Sequence, residues 1–453
     1  MSNNNLEASE WTVFRGTVIH STHEEAVVPL KDAILGVRGS QIKFLSESVG
    51  GNIDDLAKEY GFNPKDVKHL KDGQFLIPGF IDTHIHAPQY VFTGTGYDLP
   101  LMEWLDKYTF PTESKFSDIK FADRAYSKAV KRTIKHGTTT ACYFATLHAK
   151  AAVKLAEIID KAGQRAFVGK VNMDQNSPKF YVEKTENSLS ETKWFIEQMN
   201  ERQYSRVSAV ITPRFVPTCT VGLMDGLSDL AKTHNLPIQS HLCESKNEVS
   251  FVKKLHPETS YTDVYNDHGL LSERTIMAHC VYCDDKEIEL LKETGTGIAH
   301  CPNSNTFLAS GILDVRKLLE RKVKVGLGTD VSGGYNPSIL DAIRQSVGVS
   351  KLLAVDRENY SPISYQEAFR LATLGGSQVL GLEDKIGNFE VGKEFDALLI
   401  DTKCADSPFD TFNDEYADDL MDIFRSLSSL VMTATSGKFT WQVKRSSQGS
   451  NGS

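Results

Sequence analysis

The chain has 453 residues, 40% hydrophobic and 24% charged, with a formal net charge of -9. That apolar share is ordinary for a globular protein, and the length suits a large domain plus a satellite rather than one small fold. The negative charge, with no block of Lys or Arg, argues against a nucleic-acid binder, and no apolar run approaches the roughly 20 residues that span a bilayer.

The opening residues, Met1-Ser2-Asn3-Asn4-Asn5, carry no signal-peptide core. Seven scattered cysteines, an odd number, fit reduced thiols in the cytoplasm rather than a disulfide framework. Trp11-Thr12-Val13-Phe14 and Ala33-Ile34-Leu35-Gly36-Val37 read as antiparallel strands. Near the other end, Ile386 to Lys393 and Ala397-Leu398-Leu399-Ile400 also read as strands. The expectation is a small β-sandwich domain built from residues 1–74 and 385–445, with 446–453 a disordered polar tail.

Between these ends the pattern changes. Phe75-Leu76-Ile77-Pro78-Gly79-Phe80-Ile81 reads as a buried strand that closes in His84-Ile85-His86. Side chains two apart on a strand share a face, so the two imidazoles project together and suit a first-row metal such as Zn²⁺. A pair of hydrogen-bonded core histidines would give the same motif. Further apolar runs end near Thr146, Asp174, Phe215, His241, His279, His300 and Asp330, and alternate with helical patterns over 122–135, 149–162, 188–202, 223–234, 246–255, 285–293 and 314–321. Strand–helix alternation of this kind, with eight strands over residues 75–384, predicts an α/β fold of the (β/α)₈ barrel type, whose chemistry sits at the C-terminal strand ends.

Those ends carry the candidate residues. One divalent ion needs three or four protein ligands and an open position, and His84, His86, His241 and Asp330 supply that set from three strands. His300, beside Cys301, reads as a hydrogen-bonding neighbour rather than a ligand, and Asn303, Ser304 and Asn305 as caps of the following helix. His136 and His148 have no partner pattern. A second zinc-deaminase pattern, His256-Pro257-Glu258 with Cys280-Val281-Tyr282-Cys283, lacks the proline before its first cysteine and is set aside.

Several long stretches are specific enough to compare with known families. They are Pro78 to Gln89, Leu99 to Pro111, Gly137 to Thr146, Gly326 to Tyr335 and Phe369 to Ser377. The chain resembles the amidohydrolase superfamily over nearly its whole length, in the mononuclear branch that includes nucleobase deaminases, and at finer grain the guanine-deaminase group. Residues after about 415 match poorly, with a helix over 418–424 and a last strand over 439–443 left in doubtful register. The resemblance implies one Zn²⁺ per subunit on His84, His86, His241 and Asp330, with His279 orienting the attacking water. It implies that Glu244, three residues after His241, shuttles a proton to a ring nitrogen, and that Asp330 takes one from the water.

The implied reaction is hydrolytic deamination at C2 of guanine, giving xanthine and ammonia in guanine catabolism by a cytoplasmic homodimer. Guanine presents two adjacent acceptors, O6 and N7. Arginine, donor-only and forked, matches them, and Arg214 in Thr212-Pro213-Arg214-Phe215 is the candidate, which the resemblance also points to. A salt bridge to a barrel carboxylate is the competing role for it. Phe215 is placed to wall the base, and Gln89 to offer both a donor and an acceptor; His86, His241, Glu244 and Asp330 complete the expected substrate contacts. The alternatives are another amino- or halo-substituted heterocycle as substrate, or a silent barrel that only binds.

Overall fold

The computed structural model describes residues 11–47 and 53–404; the expected helix over 418–424, the strand over 439–443 and the tail from 446 lie outside them. The chain divides into two units, one formed by residues up to 79 together with those from 384 onward, the other by residues 80–383.

In the smaller unit Ala397–Asp401, Gln74–Pro78, Trp11–His20, Val28–Arg38 and Gln41–Ser46 lie side by side in that order, and Lys68–His69 pairs with Trp11–His20, giving a six-stranded sheet. Successive residues face opposite sides. Leu35 packs with Val18, Leu76 and Phe389, whereas Ile34 packs with Val13, Phe44 and Ala57 on the helix Ile53–Tyr60. The expected strand over 386–393 is a loop instead. Gly387 and Gly392 take φ of +105° and +94°, which a strand cannot contain. Lys393 Nζ closes the loop onto Asn388 Oδ1 at 2.7 Å.

The apolar run Phe75–Ile81 is not one strand. Gln74–Pro78 pairs antiparallel with Ala397–Asp401, and a new strand begins at Phe80. Gly79 donates its N–H to Asp396, while Phe80 donates to Gly137. Pro78, without an N–H, and the flexible Gly79 let the chain change partners there.

The larger unit contains eight segments of parallel strand: β1 (Phe80–His86), β2 (Thr138–Phe144), β3 (Arg165–Gly169), β4 (Val207–Ala209), β5 (Ile238–Leu242), β6 (Thr275–His279), β7 (Gly297–His300) and β8 (Val325–Leu327). One four-stranded sheet has the order β4-β3-β2-β1 and another β5-β6-β7-β8. Short extensions Val171–Asn172 and Thr212–Pro213 pair with each other beyond β3 and β4. Backbone bonds cross between the sheets at both edges: Gln239 N–H donates to Ile211 O at 2.9 Å, and Asp330 N–H to His84 O at 2.9 Å.

Helices cover the strands as the periodicity anticipates. Ile119–Lys135 buries Ala122, Ala125, Tyr126, Ala129, Val130 and Thr133, an i, i+3, i+4 stripe. It starts where Asp118 accepts from Lys120 N–H. Ala149–Ala162 ends at Gly163, whose φ of +77° is the left-handed conformation that stops a helix. Small residues on both helices let them pack with Phe116, Tyr143 and Phe195 in one apolar cluster.

Candidate active site

Asp82, His84 and His86 alternate along β1, one per pleat on the same side. The first anchors the other two. Asp82 Oδ1 accepts from His84 N–H at 3.2 Å and Thr329 N–H at 3.0 Å, and Oδ2 from Thr329 Oγ1 at 2.5 Å. β1 is thereby tied to the turn that carries Asp330. Burial pushes the Asp82 carboxyl up to about 7 against these hydrogen bonds.

His84 Nε2 lies 3.2 Å and His86 Nε2 3.5 Å from Asp330 Oδ1. His241 Nε2 faces His86 Nε2 at 3.0 Å. His241 Nδ1 lies 2.6 Å from the Arg214 carbonyl and His279 Nδ1 2.8 Å from Asn305 Oδ1. An acceptor at Nδ1 requires the proton there, which leaves each Nε2 with a lone pair. Burial lowers the pKa of His84 and drives those of His86 and His241 well below the usual range, so these rings are neutral, the form that binds metals. For Asp330, burial pushes upward, but His84 at 3.2 Å and the neighbouring histidines outweigh it and hold the carboxyl far below its ordinary value.

Converging lone pairs and one carboxylate make a cation's donor set. The buried His84 Nε2 has no hydrogen-bond partner, which a bound ion would satisfy. The donor atoms of His84, His241, His279 and Asp330 all lie within 4.8 Å of one another. His279, expected to orient water, lies beside these donors with its Nε2 3.7 Å from Asp330 Oδ2, and His86 adjoins them through His241 and Asp330. The residues fit a zinc-type ion.

Glu244 is 5% exposed. Its Oε1 accepts from Ser310 Oγ at 3.2 Å, and Oε2 lies 3.5 Å from His279 Nε2. Burial, reinforced by the Asp330 charge, pushes its carboxyl up to about 8, so it holds a proton at neutral pH. The strand ends and loops bearing these groups are strained. Cys243, His279 and Asp330 take φ of +50°, +75° and +45°, a region non-glycine residues occupy where the surroundings impose it, often at functional sites.

An opening is lined by His86, Gln89, Arg214, Phe215, His241, Glu244 and Asp330, with Leu101, Trp104, Leu105, Leu308 and Gly333 around them. Neither His84 nor His279 lines it. The Gly333-Gly334 turn is tight: Gly334 N–H bonds to Asp330 O at 2.6 Å, and a Cβ at Gly334 would collide with the Thr329 carbonyl.

Arg214 is 2% exposed and paired. Its Nη1 donates to Glu113 Oε2 at 2.8 Å and its Nη2 to Glu113 Oε1 at 3.3 Å. Glu113 also accepts from Gln89 Nε2 at 3.1 Å and Tyr181 OH at 2.8 Å, and the guanidinium lies over the Phe110 ring. The salt bridge that competes with base recognition in the sequence is therefore present, and two of the five guanidinium donors serve it. Glu113 itself is not among the residues the sequence singles out. It ends a helical segment, Leu101–Trp104 and Phe110–Glu113, interrupted by a π turn over Leu105–Thr109 in which Phe110 N–H reaches Leu105 O. Pro111 supplies no donor there. Glu113→Gln is expected to cost about 3–5 kcal/mol, because it leaves the buried guanidinium without its counter-charge. Denaturant unfolding checks this; an unchanged midpoint would count against the pairing.

Two other expectations need correction. His300 is buried with neither ring nitrogen hydrogen-bonded, and burial lowers its pKa to about 3; it is an apolar-like filler, not a hydrogen-bonding neighbour. Asn303, Ser304 and Asn305 lie inside the helix Pro302–Phe307, with Cys301 at its N-cap. Pro302 at the first helical position starts that helix one turn earlier than the asparagines suggest. Of the residues that sequence reasoning does not find, Asp82 has a signal in its period-2 alignment with His84 and His86; Glu113 and Ser310 have none.

This set of imidazoles and an aspartate at parallel strand ends, with a buried glutamate beside them, suits a metal-dependent hydrolase site. The amidohydrolase family model matches residues 75–437, and the chain belongs to that family. Its relatives narrow the class. It is 52% identical to the guanine deaminase of Mus musculus over 412 residues, 90% of each chain. It is 48% identical to that of Dictyostelium discoideum over 441 residues, 94% of this chain and 98% of the other. Among solved structures, the guanine deaminase of C. acetobutylicum with guanine in its active site superposes with a TM-score of 0.80 at 37% identity, covering 86% of this chain and 90% of that one.

Proposed function

We propose that this chain hydrolyses guanine to xanthine and ammonia at C2, as an enzyme of guanine breakdown. The observation that carries the reading is Arg214, buried and fixed by Glu113 in the wall of an opening that also holds Glu244 and Asp330. Its donor-only guanidinium suits the adjacent O6 and N7 acceptors of guanine, where adenine would present a donor. Gln89, whose Oε1 accepts from Ser332 N–H at 3.2 Å, is held to offer an amide to the base. Phe215 packs at the ring, and Leu101, Trp104 and Leu105 exclude water from it. The similarity to guanine deaminases supports the same substrate.

His84, His86, His241 and Asp330 would hold one Zn²⁺. When bound, the ion supplies Lewis acidity that brings the pKa of a water to about 7. Asp330 accepts the water's proton and His279 orients the oxygen. Glu244, protonated at neutral pH, delivers a proton to ring N3, which makes C2 electrophilic, and later assists departure of ammonia from the amino group. Each carboxyl group handles protons at a different atom.

The eight parallel strands are read as one closed (β/α)₈ barrel, supported by the bonds from Gln239 to Ile211 and from Asp330 to His84 across the sheet edges. The smaller unit, expected over residues 1–74 with 385–445, is read as a β-sandwich to which its six-stranded sheet belongs. A cytoplasmic setting agrees with seven cysteines that are all free; the homodimer rests on resemblance alone and is checked by light scattering. No described helix is long and apolar enough to cross a membrane.

Arg214→Ala is the test. Guanine turnover is expected to fall about 10–100-fold, the worth of a bidentate base contact, with zinc retained. Profiling guanine, adenine, cytosine and an aminotriazine measures it; normal guanine turnover in the variant, or a preference for another heterocycle in the parent chain, sinks the reading.

A further inference from the structure

The mechanism leaves three neighbouring thiols unused. Cys243 follows β5, between His241 and Glu244; Cys280 follows β6, directly after His279; Cys283 lies in the turn before the helix Asp285–Glu293. Cys243 and Cys280 are 1% and 2% exposed. The Sγ atoms of Cys243 and Cys283 and a carboxylate oxygen of Glu287 all lie within 4.8 Å of one another, with Cys243 Sγ 4.0 Å from Glu287 Oε1. The neighbouring Cys243 and Cys280 thiols pull the Cys283 thiol down to about 5 against its burial.

The frame around these groups is firm. Cys280 N–H donates to Leu242 O at 2.8 Å and Tyr282 N–H to Cys243 O at 3.0 Å, so the two strand-end loops are already laced. Glu287 is aimed by Asp284 N–H on Oε2 at 2.9 Å, and by Thr262 N–H at 3.3 Å and Oγ1 at 3.0 Å on Oε1. Cys243 and Cys280 keep left-handed backbone, φ +50° and +53°, which their surroundings must enforce.

Thiolates and a carboxylate are a soft, anionic donor set, suited to Zn²⁺ or Cd²⁺ rather than to Mg²⁺ or Ca²⁺. Sulfur ligands about 2.3 Å from one tetrahedral ion stand a little under 4 Å apart, so closure asks for movement of no more than about an ångström. The Cys-x-x-Cys that the sequence offered as half of a His-containing zinc pattern therefore has other partners. His256, at the end of the helix Lys246–Leu255, does not join the group.

We propose that Cys243, Cys283 and Glu287 form a second cation site, separate from the histidine–aspartate centre, which takes one thiophilic divalent ion and ties the loop bearing Glu244 to the loop after His279. The test titrates the zinc-loaded, fully reduced protein with Cd²⁺. The expected result is one additional ion per chain by mass spectrometry, an ultraviolet thiolate-to-cadmium charge-transfer band and a raised melting temperature. Cys283→Ser should remove the band and the extra ion while keeping the first ion and ammonia release from guanine. Should that chain not fold, Glu287→Gln is read instead, with at least tenfold weaker Cd²⁺ binding expected. A reduced parent chain that shows no band and binds one ion only, a band that survives the substitution, or cluster thiols that are recovered as a disulfide from protein never exposed to oxidant would each overturn the proposal.

Discussion

Glu244→Gln is expected to lower ammonia release from guanine by about 10²–10⁴-fold, the usual worth of a positioned proton donor, while zinc content and melting temperature hold. The amide preserves the shape and the contact with Ser310, which bonds Glu244 Oε1 at 3.2 Å. It removes only the ability to give and take a proton. Burial and the nearby Asp330 charge suit this carboxyl to proton transfer, because together they push it up to about 8. It also reaches 3.5 Å from His279 Nε2, at the edge of the metal centre, so proton donor and water site are adjacent. Steady-state kinetics with zinc analysis on the same sample measures the effect. A Gln variant within tenfold of the parent would remove Glu244 from the mechanism.

Stripping the metal with a chelator should bring turnover to background, and adding Zn²⁺ should restore it. Without the ion the attacking water keeps a pKa of 15.7 rather than about 7, which lowers its ionised fraction at neutral pH by roughly eight orders of magnitude. The fold should loosen as well, because an ion that binds only the native state stabilises it by mass action. The geometry gives that loosening a cause: His86 Nε2 and His241 Nε2 stand 3.0 Å apart and His84 Nε2 has no hydrogen-bond partner, an arrangement of buried donors that a cation relieves. Melting curves of stripped and refilled protein read the second effect. Full guanine turnover by demonstrably metal-free protein would overturn the assignment of His84, His86, His241 and Asp330.

Local pattern carried much of this in advance. The helices Ala149–Ala162, Lys246–Leu255 and Asp285–Glu293 lie where apolar periodicity placed them, because each is set by side chains within a few turns of one another. His84 and His86 share a face through the pleat of a strand alone. Where short-range signals misled, punctuation was the cause. Gly79 split an apolar run between two sheets, and Gly387 and Gly392 turned an apparent strand into a loop.

Chain order alone thus established the alternation of strands and helices, the side of each strand on which its polar end residue falls, and the kinds of group available at those ends. Tertiary structure decided which groups meet. Arg214 and Glu113 pair across 101 positions, Asp82 and Thr329 across 247, and Cys243 meets Glu287 across 44. Such pairings depend on how loops close between distant strands, and loop closure is nearly indifferent to local composition. The guanidinium's counter-charge, the tether of the His-x-His strand and the thiol cluster therefore left no mark in any window of the sequence.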